Sequence, residues 1–389
     1  MRRHTALWCL IAIAAACWFA RIGYDRTVHG FTDWVFFEVG ARVLVHYQHQ
    51  SIYGGDRWHL YVDNVDLQIG PPAFWAVAAF EWLPVRTIYN LFSVLLAVIA
   101  VGAVGAAALA GHWAKLPVRQ ARSLLVRHGR TAAFGAAATA TSAITAFQCV
   151  AWKHLDDALA LMLAALAACL VARGRAWWLV GILLGTAAAT KPWAMILVPM
   201  LLGLPRRDIA RTVLVAIAVA MAWWAPFVIS APNTIQALGH FNVFSRPGSV
   251  LHLVGIHGQV QHWLRPVQFT IGIAAGCLAV RQRGWTAAPL AALATRVLTD
   301  PYAYGYYGLG PLLFALFYDW TGEGFGGLPT FTLMTAFLEF GIPYTGAGPT
   351  WTALAKLVWS LAVLVATLLP RRTAARQSDV GGVTAMAAA

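Results

Sequence analysis

Long apolar runs alternate with short clusters of lysine and arginine along the whole chain, and that alternation leaves a membrane-embedded helical bundle as the fold open to it. Only 11% of the 389 residues are charged and 60% are hydrophobic. A soluble domain carries about 25% charged residues. The net charge of +13 is spread between the apolar runs and not gathered into one basic domain, so the chain is not expected to bind nucleic acid. The five cysteines (Cys9, Cys17, Cys149, Cys169 and Cys277) lie within apolar runs without ligand or disulfide spacing, and read as small buried hydrophobes.

A spanning helix needs about 20 apolar residues, fewer when it is buried in a bundle. Twelve runs qualify, approximately 7–23, 86–110, 131–151, 157–172, 176–190, 192–204, 209–230, 266–281, 285–299, 308–319, 328–342 and 351–369. The first resembles a signal peptide, but Ala14-Ala15-Ala16-Cys17 lacks the leucine of a lipobox and the run continues through Trp18 and Phe19, so a retained span is expected. Several runs are short and broken by glycine or proline, which points to a cavity beside them.

Lysine and arginine set the orientation. With twelve spans, Arg2 and Arg3, the Lys115–Arg130 connection, Arg173 and Arg175, Arg206 to Arg211, Arg281 and Arg283, and Arg371 to Arg376 all fall on one side, the cytoplasm. Both termini are then cytoplasmic. Residues 1–369 read as a single all-α membrane domain of about 12 transmembrane helices, and 370–389 as a disordered tail. The connections at about 24–85, 152–157, 231–265, 300–307 and 343–350 face outward. The stretch after Pro71-Pro72 is too short to cross, and is expected to be an interfacial helix anchored by Trp75 and Trp82.

Most acids then lie outside, among them Asp33, Glu38, Asp156, Asp157 and Asp300. Acids gather where bases are absent, but they also place candidate chemistry on the outer face. Asp33 opens an amphipathic helix on which Glu38, Arg42 and His46 share one face. Its residue type suits a helix cap as well as a general base. Lys153, His154, Asp156 and Asp157 crowd one short connection, and two carboxylates suit acceptor binding or a metal. The 231–265 connection holds His240, Arg246, His252, His257, His262 and Arg265 without a carboxylate, a composition that fits either an anion site or ordinary loop residues. Lys191, between two short spans, must snorkel or bind an anion. Arg296 and Asp300 have salt-bridge spacing. The aromatic run ending in Tyr306-Tyr307 suits an interfacial belt or a sugar platform.

These features together resemble the GT-C membrane glycosyltransferases, and most closely glycosyltransferase family 87, the polyprenol-phosphate-mannose-dependent mannosyltransferases. The residues that carry the resemblance are Phe31 to Arg42, Ser51-Ile52-Tyr53, Gly70-Pro71-Pro72, Trp82-Leu83-Pro84, Gly181 to Pro192 and the Tyr306-Tyr307 run. The chain departs from the family at Trp152 to Asp157, where a Gly-Gln pair is common, and at Gly70, where a tyrosine usually precedes the two prolines.

The resemblance implies an inverting enzyme that moves a hexose, mannose in the family, from a polyprenyl-phosphate donor to a hydroxyl of a lipid-linked or cell-envelope glycan. Asp33 would be the general base. Lys191, Arg246 and His257 would hold the phosphate, and Lys153, His154, Asp156, Asp157, Asp300 and Tyr306 would contact substrate. No metal and no cofactor is implied. The partners are the lipid donor, the glycan acceptor and membrane lipid. The rival is a carrier or flippase, which twelve spans also fit; a carrier should show internal repeats, and none is visible.

Overall fold

The computed structural model describes residues 2–28, 33–46, 57–62, 69–114, 124–239, 244–260, 263–301, 304–323 and 327–370. Phe31, Thr32, Ser51 to Tyr53, most of the basic connection near Lys115, His240, His262 and the tail from Arg371 lie outside the described residues.

The described chain is mostly helical: α1 (Arg2–Val28), α2 (Trp34–His46), α3 (Pro71–Ala78), α4 (Val85–Trp113), α5 (Leu124–Trp152), α6 (Leu155–Arg173), α7 (Trp177–Thr190), a 3-10 helix (Pro192–Gly203), α8 (Arg206–Ser230), α9 (Thr234–Gly239), α10 (Val250–Leu253), α11 (Leu264–Arg283), α12 (Ala288–Thr299), a 3-10 turn (Gly305–Gly308), α13 (Leu309–Tyr318), α14 (Thr330–Thr335), a π-turn (Ala336–Gly341), α15 (Ile342–Tyr344) and α16 (Gly348–Leu368). Two two-residue strands, β1 (Phe244–Ser245) and β2 (Gly258–Gln259), pair antiparallel and are a small exception to the all-α expectation.

Six helical stretches are long and apolar enough to cross a membrane: Ala6–Arg26, Val85–Trp113, Thr131–Trp152, Leu155–Arg173, Arg206–Ser230 and Gly348–Leu368. On α8, Leu214, Ile217, Met221 and Ile229 all point outward, an arrangement that is stable only against lipid. The chain is an all-α membrane protein. The other six expected runs are also helical; five are shorter or interrupted, and the sixth, in the 20-residue α11, carries Arg265, Arg281 and Arg283 and is less apolar. The 12-residue 3-10 helix from Pro192 rises about 2.0 Å per residue, so it reaches about 24 Å where an α-helix would reach about 18 Å.

Helix ends follow local chemistry. Pro84 and Pro205 stand just before α4 and α8, where no backbone N–H is needed. Gly174 closes α6 in the left-handed region (φ 61°) and donates its N–H back to Leu170 and Val171. Inside the bundle α1 packs on α5, α4 on α6, α7 on α8, and α11 on α12.

The helix expected after Pro71-Pro72 is α3, and it ties the connection between α1 and α4 to the bundle. Pro71, Pro72, Ala73, Phe74, Val77 and Ala78 are buried, while Trp82 beyond it is 78% exposed. The Gly70 N–H donates to the Thr190 carbonyl at the end of α7 (3.1 Å). A Cβ at Gly70 would fall 1.7 Å from the Ala189 carbonyl oxygen, so only glycine permits this approach. Gly70→Ala is expected to destabilise the fold by roughly 1–3 kcal/mol, read as a drop in thermal unfolding temperature of the detergent-solubilised protein. Arg42 binds Glu38 (2.5 Å) and Glu81 (3.3 Å), which locks α2 to the turn after α3 and makes the expected i,i+4 pair a three-residue clamp.

One sequence expectation is corrected. Cys149 and Cys169 are buried, but Cys9 and Cys17 are exposed on the face of α1 that no neighbouring helix covers. They sit among Leu7, Leu10, Ile13 and Trp18, so this face meets lipid, and apolar character alone does not imply burial in protein.

Candidate functional site

The break between α5 and α6 builds the centre of the site. Lys153 takes a left-handed backbone conformation (φ 55°), unusual for a residue with a side chain, and ends α5. Its ammonium is fully buried, donates to the Ser93 hydroxyl and lies 4.4 Å from the centre of the Tyr89 ring. Burial lowers the pKa of this ammonium to about 7. Lys153 therefore anchors the turn from within and does not reach toward a ligand.

His154 then stands at the N-cap position of α6, with Asp156 and Asp157 in the first helical turn, where the helix dipole favours negative charge. The loop residue Asp33 comes over this turn. Its Oδ2 is 2.5 Å from His154 Nε2. On the other ring edge, His154 Nδ1 faces Asp156 (3.4 Å) and Asp157 (3.5 Å). These approaches are angled, so they are ionic contacts rather than linear hydrogen bonds.

Lys191 arrives from α7. Pro192 disfavours a helical conformation at Lys191, which is extended (φ −147°, ψ 112°). That bend delivers the ammonium to Asp156 (2.5 Å) and Asp157 (3.4 Å). Two residues further on, the Trp193 indole donates to Asp157 (2.8 Å). Three carboxylates thus face two cations. The Asp33 side chain is 37% exposed, whereas those of Asp156 and Asp157 are essentially buried. The network is open to substrate at Asp33 alone among these carboxylates.

Burial works against a charge on His154, but the Asp156 and Asp33 carboxylates outweigh it and hold its pKa at about 9. Burial likewise opposes charge on Lys191, and Asp156 and Asp157 raise its pKa regardless. His154 is therefore an imidazolium at neutral pH. A raised folded-state pKa means that its stabilisation is complete below the ordinary histidine value, about 6.5, and is lost as pH rises through about 9. Buried Lys153, with its lowered pKa, contributes the opposite slope above about 7, so the His154 contribution, at most about 3 kcal/mol, is read as the stability of the wild type minus that of His154→Gln across that window. That difference should shrink as pH rises from about 6.5 to about 9; a difference independent of pH would show that His154 carries no such charge.

Aromatic rings cover one side. Tyr306 stacks on His154 (centroids 3.8 Å apart, planes at 27°), and Tyr304 stacks on Tyr306 (5.5 Å, 6°). Trp152 meets both tyrosines edge-on. Tyr306 was expected to offer its face to a sugar, but it is buried between His154 and Tyr304. Its place is to hold the imidazole flat.

The other expected site residues are distributed as follows. Asp300 pairs with Arg296 (3.4 Å) and approaches Arg265 (3.9 Å). The Arg296 guanidinium lies over the rings of Trp193 (4.9 Å) and Tyr307 (5.1 Å), which joins this pair to the central network. Arg246 is exposed and donates its backbone N–H to the Pro301 carbonyl, one residue from Asp300. His257 is exposed and faces His252 (Nδ1 to Nδ1 3.2 Å). Trp193, Glu339 and Lys356 were not anticipated. Each of the last two is a lone charge inside an apolar run, which is the signal that would have found them.

His154, Asp156 and Asp157 could also hold a metal, since one ligand atom from each lies within 4.8 Å of the others. The Lys191 ammonium already faces both carboxylates, so a divalent cation would have to displace it.

No protein-family model matches this chain, nor does any curated protein or solved structure.

Proposed function

We propose that the protein is an inverting membrane glycosyltransferase that uses a polyprenyl-phosphate sugar as donor and a glycan or glycolipid hydroxyl as acceptor. The observation that carries this reading is the half-exposed Asp33 carboxylate held against a largely enclosed imidazolium, His154, which is itself backed by two buried carboxylates and a lysine. Asp33 takes the proton from the acceptor hydroxyl as the hydroxyl oxygen attacks the anomeric carbon and the phosphate leaves with the bonding electrons. His154 fixes the position of the carboxylate. The excess of carboxylates over cations suits the positive charge that develops on the sugar in an oxocarbenium-like transition state. The expectation that Lys191 binds the donor phosphate is revised, because its ammonium is engaged by Asp156 and Asp157; the exposed Arg246 is the better candidate.

The test is sugar transfer in membranes from radiolabelled polyprenyl-phosphate mannose, comparing wild type with Asp33→Asn. Transfer by the wild type and its loss in the variant, at equal protein levels, supports the reading. A wild type that transfers nothing under these conditions sinks it and favours a carrier, for which the buried charges of Glu339 and Lys356 would be the starting point.

A further inference from the structure

A crevice separate from the Asp33 mouth lies where α12, α13, the 336–341 π-turn and α16 meet. Leu293, Val297 and Pro311 form its apolar wall, and Arg296, Asp300, Tyr307, Glu339 and Lys356 its polar one. It has room for about one water molecule, or for one hydroxyl group of something larger. Two ion pairs that line it are long. Lys356 stands 3.9 Å from Glu339, and Arg296 Nε 3.4 Å from Asp300. Glu339 Oε1 and Arg296 Nε have no hydrogen-bond partner, although their residues are only 4% and 6% exposed. Buried charges left in this state are costly, and a satisfied network would have closed the gaps. The crevice therefore presents one unused acceptor and one unused donor.

The charge balance decides what would satisfy them. Among the lining residues, two cations face two carboxylates. An anion would meet Asp300 and Glu339, and a cation would meet Arg296 and Lys356. A neutral hydroxyl donates to Glu339 and accepts from Arg296 at once, with no ion to desolvate. The crevice also adjoins the proposed reaction centre. Tyr307 lines it and meets Tyr306 (4.6 Å), which stacks on His154.

We propose that the crevice framed by Arg296, Asp300, Glu339 and Lys356 is a sugar subsite, in which a hydroxyl of a neutral glycan unit bridges Glu339 and Arg296 while the rest of the substrate extends toward His154 and Asp33. The placement of that substrate rests on the transferase reading, but the crevice can be tested without it. The full chain in lipid nanodiscs is titrated with methyl α-mannopyranoside and binding is followed by saturation-transfer NMR, with inorganic phosphate as competitor.

The wild type should bind the glycoside, Asp33→Asn should bind it equally, and Glu339→Gln should weaken binding about tenfold or more. Val297→Phe keeps all four charges and fills the space, so it should abolish binding even if Glu339→Gln fails to fold. Phosphate should not displace the glycoside. In the transfer assay Glu339→Gln should raise KM about tenfold with kcat nearly unchanged. Absence of binding by the wild type, unchanged binding in folded Glu339→Gln and Val297→Phe, or displacement by phosphate would each overturn the subsite. Binding that behaves as expected without any sugar transfer would instead remove the transferase reading and leave the subsite standing.

Discussion

Asp33→Asn is expected to reduce sugar transfer by about 10²–10⁴-fold, the range that a positioned general base contributes. Asparagine has nearly the same shape and keeps its amide oxygen beside His154. It is also a good N-cap, so the start of α2 survives. What it lacks is the capacity to take a proton. Helix content and expression should match the wild type. A second readout separates this role from a structural one. Asp33 is one of the two carboxylates that raise the pKa of His154, so its loss should shift to lower pH the range over which the His154 contribution to stability is lost. Full transfer by the variant would return Asp33 to a simple capping role.

The largest expected effect on stability comes from Lys191. Lys191→Met removes the ammonium and leaves Asp156 and Asp157 buried without their nearest cation. Breaking a buried ion pair from one side costs about 3–5 kcal/mol. The double variant Lys191→Met, Asp156→Asn should recover part of that loss, because the charge left unpaired is removed as well. Thermal unfolding of all four proteins closes the cycle. Were Lys191 free to bind a phosphate, the single variant would lose donor affinity and keep its stability.

Much of the architecture was legible in the sequence because apolar run length and glycine or proline breaks act locally. Every expected run is helical, and α2, α3 and the Lys191 bend lie where residue chemistry put them. The short 192–204 run was readable as an element, but not as a 3-10 helix, because Pro199 and the packing around it decide the pitch. The candidate site was legible as a set of residues on one side and not as a network. Lys191 and Asp156 are 35 positions apart, and only the packing of α6 against α7 brings them together. For the same reason the sequence assigned Lys191 and Lys153 to a ligand, whereas both are engaged by the protein. The Tyr306 face looked available because a sequence cannot show that an imidazole will lie on it.

The two-residue link at Lys153 and His154 also sets a rotational phase. α5 and α6 would otherwise run on as one rod, and the link fixes the angle at which α6 restarts. Neither link residue is helical, so a one-residue deletion there would change the angle and offset at which α6 restarts and carry Asp156 and Asp157 away from Lys191. Substitutions there leave the angle intact, whereas insertions and deletions reset it. Among functional descendants of this chain, length variation should therefore accumulate in loops such as 231–265 and be absent between Trp152 and Leu155.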